Sequence, residues 1–321
     1  MMKTELNVVP EPAEEKHAYW ERYAAPIDLD NTNDSRVVVL SCLPALPQRV
    51  LELGCSAGFM TKVMAEQGHQ VTAIEIDPVA ASFARPFADR VLVGDLDHVD
   101  SDGVHLLSEL ELGAYDTLIA ADVLEHLRDP LGCLRRAREL VKADGRVILS
   151  IPNVAHGDVR LALLAGRFDY RDDGLLDRTH TQLFTLEALV TMIRSAGLAP
   201  VDWKRTQRPI GESEIEVDET LLEFGRQILA DDPEVETYQW IVSCQDATVA
   251  GSNAIWPELQ AGESVVAHAV DMMNAPVAEP DRKGDVLTAE KAGNSVVARL
   301  GRRLRRILWM CRDRLVVRLD R

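Results

Sequence analysis

The sequence lacks long apolar runs, and its cysteines are few, scattered and odd in number. No stretch of about 18 apolar residues occurs, so no helix is expected to cross a membrane. The five cysteines include no Cys-x-x-Cys pair, which argues against a disulfide framework or a zinc site and favours a reducing compartment. They are Cys42, Cys55, Cys133, Cys244 and Cys311. The polar, acidic N-terminal stretch has no secretory core, so we expect a cytoplasmic protein.

Positive charge is also scarce over most of the chain. The formal net charge is −17 at pH 7, so we expect no nucleic-acid partner for the surface as a whole. Apolar residues (46%) and charged residues (27%) occur in the proportions of a folded protein with a sizeable core. The exception is segment 299–321, which holds nine Arg against two Asp and has apolar residues at helical spacing. This pattern favours peripheral contact with the inner surface of an anionic membrane, or docking on a partner protein or on the acidic body of the same chain.

Strand-like and helix-like patterns alternate in the first half of the chain. The β-rich runs cover 49–53, 69–77, 89–95, 115–122 and 144–153, with helical patterns in between. Further on come a short helix, an irregular connection, a helix over 186–197 and two more strands that flank an acidic, partly helical insert. Strands that alternate with helices predict βαβ units, and hence an α/β fold with a mostly parallel sheet covered by helices on both faces.

Changes in composition and periodicity divide the chain into four segments. Residues 1–35 form a loose N-terminal leader, and residues 36–245 form the folded domain. Residues 246–298 are rich in Ala, Val, Ser, Asn and Pro with weak periodicity, so they are expected to be a linker-like extension. Residues 299–321 are the basic amphipathic tail.

The string LELGCSAG, residues 51–58, is a small-residue turn after the first strand. The dinucleotide fingerprint G-x-G-x-x-G fails here because its second and third glycine positions are Ser56 and Phe59. A phosphate-binding loop is also excluded, since no Gly-Lys-Ser/Thr occurs. The pattern that does fit is an acidic residue followed by a small residue at every second position. Small residues let a ligand lie against bare backbone. These four positions are Glu52, Gly54, Ser56 and Gly58.

This turn resembles motif I of the class I S-adenosylmethionine-dependent methyltransferases, with serine in place of the middle glycine. Three later strings agree in order and spacing: AIEID at the end of the second strand, VGDLD after the third, and ADVLEHLRDP after the fourth. The resemblance covers about residues 36–245, and it is strongest to bacterial small-molecule and glycan methyltransferases. It implies S-adenosylmethionine as cofactor and a Rossmann-like sheet of seven strands, mostly parallel with an antiparallel last strand.

The resemblance also implies which residues bind the cofactor. Glu75 would accept hydrogen bonds from both ribose hydroxyls, Asp95 would face the adenine amino group, and Leu96 would lie beside it. The full implied set is Glu52, Gly54, Ser56, Gly58, Glu75, Ile76, Asp95, Leu96, Ala121 and Asp122.

Three histidines are candidates for a general base, since histidine titrates near neutral pH. His180 lies in GLLDRTHTQLFT, which resembles a signature of the bacterial subgroup, and we rank it just ahead of His126. His126 follows the fourth strand, and a structural role in its loop is an equal alternative. For His156 an exposed loop position is favoured over a place in the substrate cleft. Asp177 would orient His180 or bind substrate hydroxyls, while Thr185 is expected to cap the next helix.

A metal site is an alternative for the polar residues of this region. Glu125, His126, Asp177 and His180 carry suitable ligand groups, but no spacing in the sequence requires an ion. We therefore predict no bound metal.

The resulting prediction is an enzyme that transfers a methyl group from S-adenosylmethionine to a hydroxyl of a small molecule or glycan. The resemblance points towards bacterial polysaccharide biosynthesis. The alternatives are a catalytically silent cofactor-binding scaffold, methylation of nitrogen or carbon, and a nicotinamide-dependent sugar enzyme. DNA is not expected as a substrate, because IPNV lacks the aromatic residue that would stack on a flipped base.

Overall fold

A computed structural model describes residues 25–98, 105–230, 232 and 234–258. Seven strands form one sheet in the order β3-β2-β1-β4-β5-β7-β6. They are β1 (Arg49–Leu53), β2 (Gln70–Glu75), β3 (Arg90–Val93), β4 (Tyr115–Ala121), β5 (Val141–Pro152), β6 (Leu198–Gln207) and β7 (Thr237–Asp246). The helices are α1 (Ser35–Leu40), α2 (Phe59–Glu66), α3 (Pro78–Ala84), α4 (Pro130–Glu139), α5 (Gly157–Leu164), α6 (Leu186–Ser195), α7 (Glu219–Ile228) and α8 (Ala247–Ala250).

The direction of the strands confirms the predicted fold class. Strands β1 to β5 pair in parallel, with β1 between β2 and β4. Strand β7 pairs antiparallel with both β5 and β6, so only β7 is reversed and β6 forms the edge. The chain order reverses beside β1, and ligands of open α/β sheets bind outside the carboxyl ends of the strands at such a point.

The central strands of the sheet are buried on both faces, as their near-continuous apolar sequences require. Alternation along β4 shows this: Leu118 and Ala120 pack in a core cluster with α4 and α6, while Ile119 and Ala121 pack in a second cluster with α1 and α2. Helices therefore cover both faces, as predicted.

Side-chain caps explain where several helices begin. Asp77 accepts hydrogen bonds from the backbone N–H groups of Val79 and Ala80, and Pro78 occupies the first turn of α3. The predicted cap of α6 is confirmed, because Thr185 Oγ1 accepts from Ala188 N at 3.2 Å. Such caps satisfy N–H groups that have no partner within the helix.

The described residues divide into two compact units. The first contains the whole sheet and is made of residues up to Val154, Tyr170–Gln207 and Thr237–Pro257. The second is made of Ala155–Asp169 and Arg208–Glu236 and includes α5 and α7. It has its own apolar cluster of Leu161, Ile210, Leu222, Leu229 and Val235.

His156 lies in the second unit, and its expected exposed position was wrong. The residue is fully buried. Its Nδ1 accepts from Asp158 N at 3.2 Å at the start of α5, and its Nε2 lies 2.8 Å from Arg208 O. His156 is thus a helix cap that also holds the start of the insert.

Past β7, the chain folds back onto the edge strand. Trp203 Nε1 donates to Ile255 O at 2.7 Å, and Ile255 N donates to Pro200 O at 2.7 Å. Strand β6 is therefore partly covered by the first residues of the segment predicted to be a linker. The predicted tail 299–321, most of that linker and most of the leader lie outside the described residues. Within the described part of the chain, no helix is long and apolar enough to span a membrane.

Candidate cofactor and acceptor site

The turn after β1 has left-handed backbone at three positions: Gly54 (φ 69°), Ser56 (φ 49°) and Gly58 (φ 81°). A Cβ on Gly54 would overlap Val123, and a Cβ on Gly58 would lie 2.6 Å from Ala84 Cα. Both glycines are thus required by backbone conformation and by close packing. Only Ser56 has room for a side chain, which explains why serine is accepted at the middle position.

Glu75, at the end of β2, is tied to this turn. Its Oε2 accepts from Ser56 N at 2.8 Å and its Oε1 accepts from Asp77 N at 2.9 Å. Burial raises the pKa of Glu75, while the backbone donors act in the opposite direction. Each carboxylate oxygen retains a further lone pair for a ligand hydroxyl. The residue predicted to bind ribose is therefore held in position by backbone donors of the turn and of the loop after β2.

Glu52 lies within the protein beside α2. Its Oε2 accepts from Thr61 Oγ1 at 2.5 Å, and its Oε1 has no partner among the described residues. Burial raises the pKa of Glu52 from its ordinary 4.5 to about 7, with a smaller contribution from the charge of Glu75. The Ser56 hydroxyl is likewise buried without a partner in the described structure. Two buried polar atoms in and beside the turn therefore have no hydrogen-bond partner in the described structure.

The loops after β2 and β3 hold the residues predicted to surround adenine. Ile76 is 64% exposed, a high value for a large apolar side chain. Asp95 is exposed and accepts from Asp97 N, whereas Leu96 is buried. The Leu96 carbonyl lies 2.5 Å from Nε2 of the buried His105. No sequence pattern singled out His105, which lies nine residues further along the chain.

Asp97 joins this loop to the segment after β4. Its carboxylate accepts from the backbone N–H groups of Arg128 and Asp129. In the sequence, Asp97 is marked only by its position two residues after Asp95. Its connection to Arg128, 31 residues further along the chain, was therefore not predicted.

Ala121 and Asp122 lie at the carboxyl end of β4. Ala121 is buried, while Asp122 is exposed and has left-handed backbone (φ 56°), which is costly for a residue with a side chain. Gln239 Nε2 donates to Asp122 Oδ1 and, at 2.8 Å, to Ser150 Oγ. The surrounding protein atoms raise the pKa of Asp122 to about 6, and the Gln239 bond opposes this change.

The residues predicted to bind the cofactor suit a nucleoside that carries an amino-acid group better than one that carries phosphates. The predicted set contains buried carboxyls, an unpartnered hydroxyl and an exposed apolar side chain, but no lysine or arginine. Phosphate sites instead rely on cationic side chains and glycine-rich backbone.

Two predicted catalytic histidines meet just beyond β4. The rings of His126 and His180 pack edge to face with centroids 4.9 Å apart. His126 Nδ1 lies 3.2 Å from Thr179 O and 3.1 Å from Thr179 Oγ1. Asp177 Oδ1 in turn accepts from Thr179 N and Oγ1 at 2.7 and 2.6 Å. The fully buried Asp177 carboxylate thus positions Thr179, which contacts His126.

Both imidazoles are more readily neutral than histidine in water. Burial lowers the pKa of His126. Burial, followed by the neighbouring His126, lowers the pKa of His180 to about 4. Near neutral pH each ring therefore has one nitrogen that donates and one that carries a lone pair.

Glu125 completes this cluster. Its side chain is 1% exposed, and neither carboxylate oxygen has a partner among the described residues. Burial raises the pKa of Glu125 well above its ordinary value, and the charges of Asp122 and Asp177 add to the effect. Its backbone carbonyl accepts from Thr181 N and Gln182 N, which holds the His180 loop against the β4 loop.

The strand order 3-2-1-4-5-7-6, the small-residue turn after β1 and the acidic residue at the end of β2 together define a class I S-adenosylmethionine-dependent methyltransferase. S-adenosylmethionine is the cofactor of this class.

Comparison with known proteins agrees with this class. The family described as "Methyltransferase domain" matches residues 23–202, more than half of the chain, and the chain belongs to this family. The ubiquinone biosynthesis O-methyltransferase of Xanthomonas campestris pv. campestris (strain B100) is 30% identical over 151 residues, covering 47% of this chain and 62% of that protein. The protein of the same name from Cereibacter sphaeroides (strain ATCC 17025 / ATH 2.4.3) is 30% identical over 164 residues, covering 50% and 64%.

The chain therefore spans less than two thirds of the length of these two relatives. Among solved structures, a Burkholderia thailandensis 1,6-didemethyltoxoflavin-N1-methyltransferase with bound 1,6-didemethyltoxoflavin and S-adenosylhomocysteine matches with a TM-score of 0.45 and 18% identity. The match covers 73% of this chain and 85% of that one.

Proposed function

We propose that this protein transfers the methyl group of S-adenosylmethionine to a hydroxyl oxygen of a small-molecule or glycan acceptor. The observation that carries the proposal is the His126–His180 pair in the loops beyond β4, with Thr179 and Asp177 behind it. The O-methyltransferase names of the relatives support oxygen as the atom methylated.

We assign the cofactor to the turn after β1 and the ends of β2, β3 and β4. Glu75 would accept from the ribose hydroxyls, and Ile76 and Leu96 would cover the adenine beside Asp95. Gly54, Ser56 and Gly58 would bring backbone close to the amino-acid group, with Glu52 behind them and with Ala121 and Asp122 opposite. The bound cofactor supplies a methyl group on a sulfonium, which is already a good leaving group.

The protein then has to orient the acceptor hydroxyl and remove its proton. In this proposal His180 and His126 are the catalytic residues, and Asp177 is a positioning residue that acts through Thr179. The hydroxyl proton becomes strongly acidic as the new carbon–oxygen bond forms, so an imidazole of low pKa is sufficient to accept it. The new bond is to oxygen, the bond that breaks is carbon to sulfur, and the proton goes to the imidazole.

A labelled-methyl transfer assay against cell extract, followed by identification of the labelled product, tests this function. We expect label on oxygen, with transfer reduced about a hundredfold or more in His126→Ala and His180→Ala. His98→Ala removes an exposed histidine three residues past Asp95 and outside the His126–His180 pair, so it is the matched control and should transfer at the normal rate at saturating S-adenosylmethionine.

Other outcomes separate the alternatives. Label on nitrogen or carbon would make the O-methylation assignment wrong, and unchanged transfer in both histidine variants would remove their catalytic role. Binding of S-adenosylhomocysteine without transfer to any acceptor would favour the scaffold. Calorimetry that detects NAD but not S-adenosylhomocysteine would favour the nicotinamide enzyme.

A further inference from the structure

The Glu125 carboxyl is the least satisfied polar group of the site. It is 1% exposed, and neither of its two oxygens has a hydrogen-bond partner in the described structure. A buried group without partners loses its hydrogen bonds to water and gains none in return, so an unpartnered buried carboxyl calls for an explanation. A ligand that binds carboxylate oxygen would provide one.

The two neighbouring imidazoles are held in the way that metal-binding histidines are held. His126 Nδ1 lies within hydrogen-bond distance of the Thr179 carbonyl, and the His180 ring makes a hydrogen bond with the Leu175 backbone. When one ring N–H donates to a backbone carbonyl, the other nitrogen carries the lone pair, and the orientation of the ring is fixed.

Distances and charges agree with this arrangement. One ligand atom each from Glu125, His126 and His180 lie within 4.8 Å of one another. Ligands around a tetrahedral ion lie about 3.4 Å apart, so side-chain movements of roughly an ångström would bring them together. Asp122 and Asp177 add negative charge around Glu125.

We propose that Glu125, His126 and His180 bind a divalent first-row transition-metal ion. Two imidazoles and one carboxylate suit Zn²⁺, Mn²⁺, Fe²⁺ or Co²⁺, whereas Mg²⁺ prefers oxygen ligands throughout. The proposal reverses the expectation of no metal, because the sequence did not show that the Glu125 side chain is buried or that His180 lies beside it.

The ion would also hold the acceptor. Three protein ligands leave a position open, and a hydroxyl bound there ionises more easily than a free one. In that state the two imidazoles are ligands, the ion makes the hydroxyl more acidic, and the hydroxyl proton passes to water instead of to an imidazole. This second part rests on the proposed O-methyl transfer, whereas ion binding does not.

Calorimetry and visible absorption with Co²⁺ alone test the ion site on the full chain, without cofactor or acceptor. We expect one Co²⁺ per chain, the ligand-field absorption of a bound ion, and competition by Zn²⁺. Glu125→Gln keeps the size of the side chain while it removes the charge, so it should fold and bind S-adenosylhomocysteine normally but bind Co²⁺ at least tenfold more weakly. His180→Ala should show the same loss.

His98→Ala is the matched control, because it removes an exposed histidine outside the cluster and should retain full Co²⁺ binding. Thermal denaturation gives a second measurement: at the same Co²⁺ concentration, the melting temperature of the wild type should rise more than that of Glu125→Gln. Absence of stoichiometric binding to the wild type, or equal binding by wild type and Glu125→Gln, would overturn the ion site.

The acceptor role is tested separately, once an acceptor is known. Removal of the ion by a chelator should reduce methyl transfer at least tenfold without a change in affinity for S-adenosylhomocysteine, and Co²⁺ or Zn²⁺ should restore it. Unchanged transfer by the metal-free protein would overturn the acceptor role and leave the base mechanism of the proposed function. Absence of transfer from the metal-loaded protein to any acceptor would instead count against the proposed function.

Discussion

Gly54 and Val123 are in direct contact, so the turn after β1 and the loop after β4 are packed together. A Cβ on Gly54 would overlap Cγ2 of Val123, and the backbone of Gly54 is left-handed. Val123 is followed two residues later by Glu125 and then by His126. The candidate cofactor turn and the candidate acceptor cluster, formed by Glu125, His126 and His180, are therefore both positioned by this contact.

Gly54→Ala should consequently weaken the binding of S-adenosylhomocysteine at least tenfold. The substitution adds both backbone strain and a steric clash, and together these cost a few kcal/mol. Gly113→Ala is the matched control, because Gly113 has a similar φ of 62° with nothing within 4 Å of its Cβ position. Calorimetric titration of both variants measures the difference. Adding Val123→Ala should restore part of the affinity, and equal affinities for the two single variants would contradict the prediction.

Glu52 should make the protein less stable as the pH rises. Its pKa is about 7 in the folded protein against an ordinary 4.5, so the folded state holds a proton that the unfolded state has lost between these values. From pH 5 to pH 8 this lowers the free energy of unfolding by roughly 2 to 3 kcal/mol. Glu52→Gln should remove that part of the pH dependence.

Urea denaturation of wild type and Glu52→Gln at pH 5 and pH 8 measures this effect. The difference between the two proteins should grow at pH 8, in favour of the variant. Glu66→Gln, on the exposed end of α2, is the control and should parallel the wild type at both pH values. Parallel behaviour of Glu52→Gln would mean that Glu52 titrates normally.

The fold was predictable because its signals are local. Apolar runs, helical spacing and caps such as Thr185 are read within about ten residues, and the resemblance of four strings implied a seven-stranded, mostly parallel sheet with an antiparallel last strand. The turn at 54–58 was found for the same reason. The left-handed backbone of Ser56 was not predicted, because only the packing of Ala84 and Val123 shows which positions of the turn must be glycine.

The acceptor cluster was only partly predictable because its members come together through the fold. His126 and His180 were chosen by residue type, but their contact across 54 residues follows from the hydrogen bonds of Glu125 O with Thr181 and Gln182. Glu125 is a carboxyl that sequence patterns would place at the surface. His156 was misread because a buried polar cap and an exposed loop residue look alike in sequence.

Thr179 is a positioning residue by its contacts, so its hydroxyl should matter for turnover. Thr179→Val removes the hydroxyl that lies between Asp177 and His126, while Thr179→Ser retains it. We expect kcat to fall about tenfold in the valine variant, with near-normal turnover in the serine variant. Affinity for S-adenosylhomocysteine should stay within about twofold of wild type in both. Equal kcat values for the two variants would show that the hydroxyl has no such role.

The second unit depends on Asp158, which is fully buried and accepts from Gly211 N, Ser213 N and Ser213 Oγ at 2.7, 3.2 and 2.6 Å. Asp158→Ala leaves the two backbone donors without this acceptor, so the local cost should be about 2–4 kcal/mol. Hydrogen exchange should show faster exchange at 211–215 and little change in β1 or β4. Asp169→Ala, at an exposed aspartate of the same unit, should leave exchange at 211–215 unchanged. Unchanged protection in Asp158→Ala would mean that the apolar cluster around Leu161 and Ile210 holds the insert without the carboxylate.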